Sequence, residues 1–102
     1  MPIVVFYEPE SLTAAQYNEI VAELETKMKF PWDGLNNTMC FGTGNKLRVI
    51  DLWDSQEKFE KFCETLIPMI EKHGLKMAPP KIEEAYSSLE HGALRRYETA
   101  NA

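Results

Sequence analysis

Residues 46–63, KLRVIDLWDSQEKFEKFC, hold the junction from which the rest of the chain can be read. From Lys46 to Trp53 the side chains alternate. Leu47, Val49, Asp51 and Trp53 fall on one side of an extended backbone, Arg48, Ile50 and Leu52 on the other. That alternation predicts a strand. The period then changes: Phe59, Phe62, Cys63, Leu66 and Ile70 recur at helical spacing. Asp54 or Ser55 supplies the cap, with Glu57 three residues after Asp54. A strand therefore runs almost directly into a helix. Pro68 is expected to break that helix near Thr65 to Ile67 and to open a short second segment. His73 and Gly74 end it, Gly74 as a left-handed cap.

Upstream, Pro2 to Tyr7 (PIVVFY) is apolar on both faces, which suits a central strand. Thr13 and Gln16 form a capping box, and Tyr17, Ile20, Val21, Leu24 and Met28 follow as one helical stripe that must stop before Pro31. Leu35 to Phe41 (LNNTMCF) is a second strand, joined to Lys46–Trp53 through Gly42-Thr43-Gly44-Asn45, a hairpin signal. Downstream, Pro79-Pro80 forces extended backbone into a last strand, Lys81 to Tyr86. The order is β-α-β-β-α-β. With right-handed crossovers this is an α+β, ferredoxin-like arrangement: a four-stranded antiparallel sheet of order 4-1-3-2 with two helices on one face. Residues 1–88 form that single domain, and 89–102 a polar C-terminal tail that docks on a partner subunit or stays disordered.

The chain has 102 residues, is 44% hydrophobic and 26% charged, and carries a net charge of −5. Such composition is that of a globular domain, and its acidity speaks against a nucleic-acid partner. Cys40 and Cys63 lie 23 residues apart with no His at zinc-ligand spacing, so two reduced thiols are expected rather than a disulfide or metal site. MPIVVFYEPE has neither the basic nor the apolar region of a signal peptide, and nothing is long enough to span a membrane. A cytoplasmic protein is the expectation. No Ser-His-Asp or Cys-His set and no GxGxxG motif is present; Gly42-x-Gly44 belongs to the hairpin.

Helices on one face leave the other bare. With Ile50 and Leu52 assigned to the helix side, Val49, Asp51, Trp53, Thr38 and Tyr7 point to the uncovered side. An aromatic patch there calls for a second subunit, so a homodimer enclosing a cavity between its sheets is expected. Asp51, enclosed, would be desolvated and suited to act as a general base, or would form a salt bridge to Lys46 or to Arg48 of a neighbour. Trp53 is a cavity wall or interface packing. Tyr7 either donates a hydrogen bond to a bound phenol or ketone or simply packs. His73 is placed to favour the helix dipole, or to serve a ligand. Met28, Met39, Met69 and Met77 read as core filler.

Arg48-Val49-Ile50-Asp51-Leu52-Trp53-Asp54-Ser55, followed by Phe59 and Phe62, resembles the strand-to-helix signature of the dimeric α/β-barrel superfamily, which includes the antibiotic-biosynthesis-monooxygenase-like group. Its pattern is an apolar strand ending in Trp-x-Ser with an aromatic four residues on, here Trp53-Asp54-Ser55 and Phe59. Gly34-Leu35, Pro68 and Gly74 fit the same run, as in small uncharacterised bacterial members. The resemblance implies a Trp53 that lines a substrate cavity, and an enzyme without metal or flavin whose substrate itself activates oxygen. Relatives often carry a His three residues past the Leu of the second strand, where this chain has Thr38. Heme-degrading members need an Asn on the first strand, and there is none here. The expectation is a cofactor-independent, monooxygenase-like enzyme acting on a small aromatic or polyketide-like molecule. Asp51 and Trp53 would be its catalytic residues, and Tyr7, Thr38, Val49 and His73 would bind substrate. The alternative is a non-catalytic dimer that binds a small apolar ligand or serves only as a dimerisation module.

Overall fold

Ile3–Tyr7 (β1) runs through the middle of a four-stranded antiparallel sheet, flanked on one side by Arg48–Trp53 (β3) and on the other by Lys81–Glu84 (β4). The computed structural model describes residues 1–29, 32–90 and 92–97. Leu35–Phe41 (β2) pairs with β3 at the far edge, giving the order β2-β3-β1-β4. Read from the other edge this is 4-1-3-2, the ferredoxin-like order that the pattern of elements predicts. β1 has a strand at each edge, and Ile3, Val5 and Tyr7 on one of its faces are buried while Val4 and Phe6 on the other are half-buried.

The helices Ala14–Lys27 (α1) and Gln56–Lys72 (α2) begin at the expected caps. Gln16 N donates to Thr13 Oγ1 at 3.2 Å and Thr13 N to Gln16 Oε1 at 3.0 Å, a complete capping box. Ser55, rather than Asp54, caps α2, with Lys58 N donating to its Oγ. At the other end Leu75 N donates to Ile70 O and Gly74 N to Glu71 O, with Gly74 at φ 69°. That pair of bonds is a Schellman motif, which uses the left-handed freedom of Gly74.

Pro68 does not break α2, contrary to expectation: the helix is continuous through it. Leu66 and Met69 on either side are buried in the core, whereas Ile67 and Pro68 face solvent. A proline on the outer side of a helix forfeits one backbone bond, while the packed side keeps its hold.

The two faces of the sheet are the reverse of those expected. Val49, Asp51 and Trp53 face the helices, and Arg48, Ile50 and Leu52 the uncovered side. The reason lies in the register and in the size of Trp53. Ile3 stands opposite Trp53, Val5 opposite Asp51 and Tyr7 opposite Val49. Ile3, Val5, Tyr7 and Trp53 join Ile20 and Leu24 of α1 and Phe59, Phe62, Leu66 and Met69 of α2 in one core. Trp53 has no exposed surface, with its ring centroid 4.9 Å from Phe62 and 5.9 Å from Phe59. Both faces of β3 are apolar enough to be core, so alternation alone does not choose between them. The helix that follows chooses, by closing its phenylalanines over the largest side chain.

The uncovered face consequently carries Val4, Phe6, Met39, Phe41 and Ile50. Met39 is more than half exposed there instead of filling the core. Phe6 and Phe41 lie 6.3 Å apart, and the Arg48 guanidinium sits 4.8 Å above the Phe41 ring.

The segment expected as a tail forms a hairpin instead. Ser87–Glu90 (β5) pairs with Ala93–Arg96 (β6), so a domain limit at residue 88 falls inside a strand. The two strands are short and not apolar, and only their mutual pairing across Gly92 (φ 80°) reveals them. Residues 98–102 of the expected tail lie outside the described residues.

Gly34 precedes β2 at φ 88°, and an added Cβ would stand 2.8 Å from Lys58 Cβ on α2. Gly44, at φ 63°, has nothing within 4 Å of such a Cβ. Both positions disfavour L side chains, by roughly 1 kcal/mol or more. Gly34→Ala is therefore expected to lower unfolding free energy more than Gly44→Ala, because only it must also displace Lys58. Urea unfolding of the two variants checks this, and equal losses would contradict the close approach.

Candidate functional site

Between the sheet and the helices lies a cavity of about 120 Å³, partly open to solvent. Its floor is the helix-facing side of three adjacent strands, which present Tyr7 (β1), Thr38 (β2), Val49 and Asp51 (β3). Its walls come from the α1 stripe, including Tyr17, Ile20 and Leu24, and from Phe62, Leu66 and Ile70 of α2. Trp32 closes one flank; its ring lies 5.2 Å from Phe62, and its indole N–H donates to Met28 O. Pro9 and Leu12 lie at the other end with Leu75 and Met77. There a bridge between Pro9 and Met77 and a bond from Glu10 N to Lys76 O stitch the two loops together.

Thr38 reaches this floor through an irregularity in β2. Leu35 pairs with Trp53, and the register then slips so that Asn37 pairs with Leu52 and Thr38 with Asp51. Leu35 and Thr38 are three apart and would lie on opposite faces of a regular strand. The bulge at Asn36 turns both toward the helices. Asn36 is held by its amide, which donates to Asp54 Oδ1 at 2.6 Å, and Asp54 N donates to Gly34 O.

Asp51 is the buried charge of the site, 6% exposed. Trp53 Nε1 donates to its Oδ2 at 3.2 Å. Burial raises the Asp51 pKa above the ordinary carboxyl value; the nearby Thr38 and Tyr7 hydroxyls and the Trp53 N–H work against that rise. Among the described residues no Lys, Arg or His comes within salt-bridge distance of it. The salt bridge weighed for Asp51 is thus replaced by an indole, and Arg48 points to the opposite face. Tyr7 is equally buried, and its hydroxyl makes no hydrogen bond of full geometry, although Asp51 and Trp53 are near enough to act on its acidity. Burial, and then the neighbouring Asp51 charge, push Tyr7 far above the usual phenol range, so it stays protonated. A buried donor without a partner, beside a buried carboxylate without a cation, marks a place where a ligand's polar atom would fit.

Of the residues singled out from the sequence, Tyr7, Thr38, Val49 and Asp51 meet at this floor. Trp53 sits behind it, in contact with Asp51 but not with the cavity. His73 lies elsewhere, at the end of α2, where its Nε2 is 2.9 Å from Glu23 Oε1 and its Nδ1 3.8 Å from Glu19. The cavity is also on the other face from the one expected, beneath the helices of a single chain rather than between two sheets. Residues that sequence reasoning took only for core, chiefly Tyr17 and Leu24, turn out to be wall. Nothing in their spacing distinguishes a wall from a packed interior. No group of three or more His, Cys, Asp or Glu among the described residues is arranged to hold a metal. Cys40 and Cys63 are free and half-buried. Among the described residues no helix is long and apolar enough to cross a membrane.

This fold recurs in known structures. A variant of SnoaB, a cofactor-independent oxygenase from Streptomyces nogalater, superposes with a TM-score of 0.62 at 12% identity, over 86% of this chain and 96% of that one. SnoaB itself gives 0.56 at 13% identity, covering 86% and 94%. NE2512, a protein of unknown function from Nitrosomonas europaea, gives 0.52 at 16% identity, covering 80% and 84%. At such identities the likeness is one of fold. No protein-family model and no curated protein sequence matches the chain.

Because the folded-state pKa of Asp51 is raised, protonation stabilises the fold, and that contribution is lost as pH rises through the raised value. Asp51→Asn keeps the shape without the charge. Thermal melts across pH are expected to show the variant gaining on the parent as pH rises from the acid range toward neutrality, then holding a constant lead. A difference independent of pH would mean that Asp51 is not a desolvated carboxylate.

Proposed function

We propose that the chain is a cofactor-independent, monooxygenase-like enzyme acting on a small hydroxylated aromatic, with Asp51 as the base. The observation that carries this reading is a carboxylate buried on the floor of an apolar cavity, held by an indole and facing no cation among the described residues. Desolvation makes such a group a stronger proton acceptor than a carboxylate in water. The fold shared with cofactor-independent oxygenases supports the reaction class.

In the proposed reaction the substrate O–H proton passes to Asp51, and Tyr7 donates a hydrogen bond to the resulting aryloxide. The electron-rich ring then reduces dioxygen, and a C–O bond forms at the para carbon; the peroxide anion takes back the proton held by Asp51 to give a hydroperoxide. The hydrogen on that carbon leaves as a proton while the O–O bond breaks. The departing hydroxide takes up a proton and leaves as water. One phenol and one dioxygen become one para-quinone and one water, and the ring is oxidised by four electrons. Thr38 and Trp53 hold the Asp51 carboxylate, Trp53 as a positioning residue. Val49 and the aromatic walls exclude water. His73 has no part in the step. The site of action is the cytoplasm, where Cys40 and Cys63 remain thiols. Oxygen-electrode assays with electron-rich phenols are expected to show uptake that rises with pH as Asp51 ionises, and that falls by roughly 10²- to 10⁴-fold in Asp51→Asn. An Asp51→Asn variant as fast as the parent would end the base assignment, and no uptake with any phenol would end the oxygenase reading.

The same reading includes a homodimer, now formed through Val4, Phe6, Met39, Phe41 and Ile50. Five apolar side chains on one flat face make a patch that a second copy would cover. Each cavity would then belong to one subunit, with pairing serving stability. Light scattering is expected to give twice the chain mass for the parent and the single chain mass for Ile50→Glu. A monomeric parent would remove the dimer.

A further inference from the structure

We infer that the cavity selects an uncharged phenol of a single ring and rejects both aromatic acids and fused polycyclic rings. This deepens the oxygenase reading and, for its catalytic meaning, rests on it.

Size comes first. The cavity holds about 120 Å³. An engineered apolar cavity of about 150 Å³ is known to take up benzene, so one ring is the scale of this space. A three-ring polyketide would have to lie mostly outside the mouth or prise α1 from the sheet. The core residues Ile20 and Leu24 tie that helix down.

Charge comes second. Among the described residues the lining includes no Lys, Arg or His, and its acidic member is Asp51. A carboxylate, sulfate or phosphate on the ring would enter an apolar space with one negative charge already present and nothing to neutralise it. Burial of an unpaired charge is strongly unfavourable. Apart from Tyr17 on α1, the polar side chains of the lining stand on the sheet floor. The unpartnered Tyr7 hydroxyl lies there with Asp51, and Thr38 stands directly across the strand pair from Asp51. One ring hydroxyl can therefore be served, as acceptor from Tyr7 and donor to Asp51. The α2 wall, with Leu66 and Ile70, is apolar and asks for hydrogen or alkyl substituents.

Calorimetric binding under argon separates ligand class from catalysis. At pH 7, 4-methylphenol is expected to bind at least tenfold more tightly than 4-hydroxybenzoate, 4-hydroxybenzylamine or anthrone. Tyr7→Phe removes one buried hydroxyl and keeps the ring that packs in the core, so it should fold. It should lose roughly fivefold in affinity for 4-methylphenol and nothing for toluene. Equal or tighter binding of the acid, the amine or anthrone would overturn the inference, as would a Tyr7→Phe variant with unchanged preference for 4-methylphenol over toluene. Oxygen uptake, measured separately, keeps the two claims apart. Binding of 4-methylphenol as expected, with no uptake by any phenol, defeats the oxygenase reading and leaves the ligand class standing. Turnover of anthrone with exclusion of single-ring phenols does the reverse.

Discussion

Trp53 beneath α2 is the contact on which the rest depends. Its indole is fully enclosed, stacked against Phe59 and Phe62 of the helix that begins three residues later. β3 alternates regularly, so placing Trp53 inside places Asp51 and Val49 inside as well. Pairing then carries the choice across the sheet, to Ile3, Val5 and Tyr7 on β1 and to Thr38 on β2. A carboxylate would not enter an apolar interior on its own account. Here it goes in on the same strand as the tryptophan, and that tryptophan's N–H is its hydrogen-bond donor.

The site follows from that compromise. Asp51 is desolvated, yet three neighbours offset part of the loss, so the group is strained electrostatically without being orphaned. Tyr7 is the complementary case, a donor kept protonated by burial and left unsatisfied. Around both, the helices contribute hydrocarbon and aromatic rings. Apart from Tyr17, polarity gathers on the floor, and this gives the cavity an orientation that a uniformly apolar void would lack.

Putting one face of the sheet inside exposes the other. Ile50, Phe6 and Val4 are the direct counterparts of Asp51, Tyr7 and Val5 on the far side of their strands, and they leave an apolar surface with no helix upon it. The C-terminal hairpin adds Leu89 and Leu94, paired across its strands and each more than half exposed. An isolated two-stranded hairpin is marginal in water. Here Tyr97 N bonds to Tyr86 O, and Ser88 and Tyr97 hydroxyls meet at 2.6 Å.

The sequence by itself determined the elements from β1 to β4 and their order, because capping boxes, glycine turns and the change from period two to period 3.6 are local signals. Thr13 with Gln16, Gly74 after His73, and Gly42 with Gly44 each act within a few residues, and the right-handed crossover rule then leaves little choice of topology. The identity of the floor residues was also legible, since Asp51 and Tyr7 stand out in apolar strands. Tertiary structure alone decided which face of the sheet is inside. Ile50 and Leu52 look as fit for a core as Val49 and Trp53 do, and the decision belongs to a helix packing across the strand. It likewise decided that Pro68 could remain within α2, that His73 would turn to Glu23, and that a bulge at Asn36 would bring Thr38 beside Asp51. Each of these rests on contacts between residues distant in the chain or on the packing of one element against another, which no pattern within a single segment encodes.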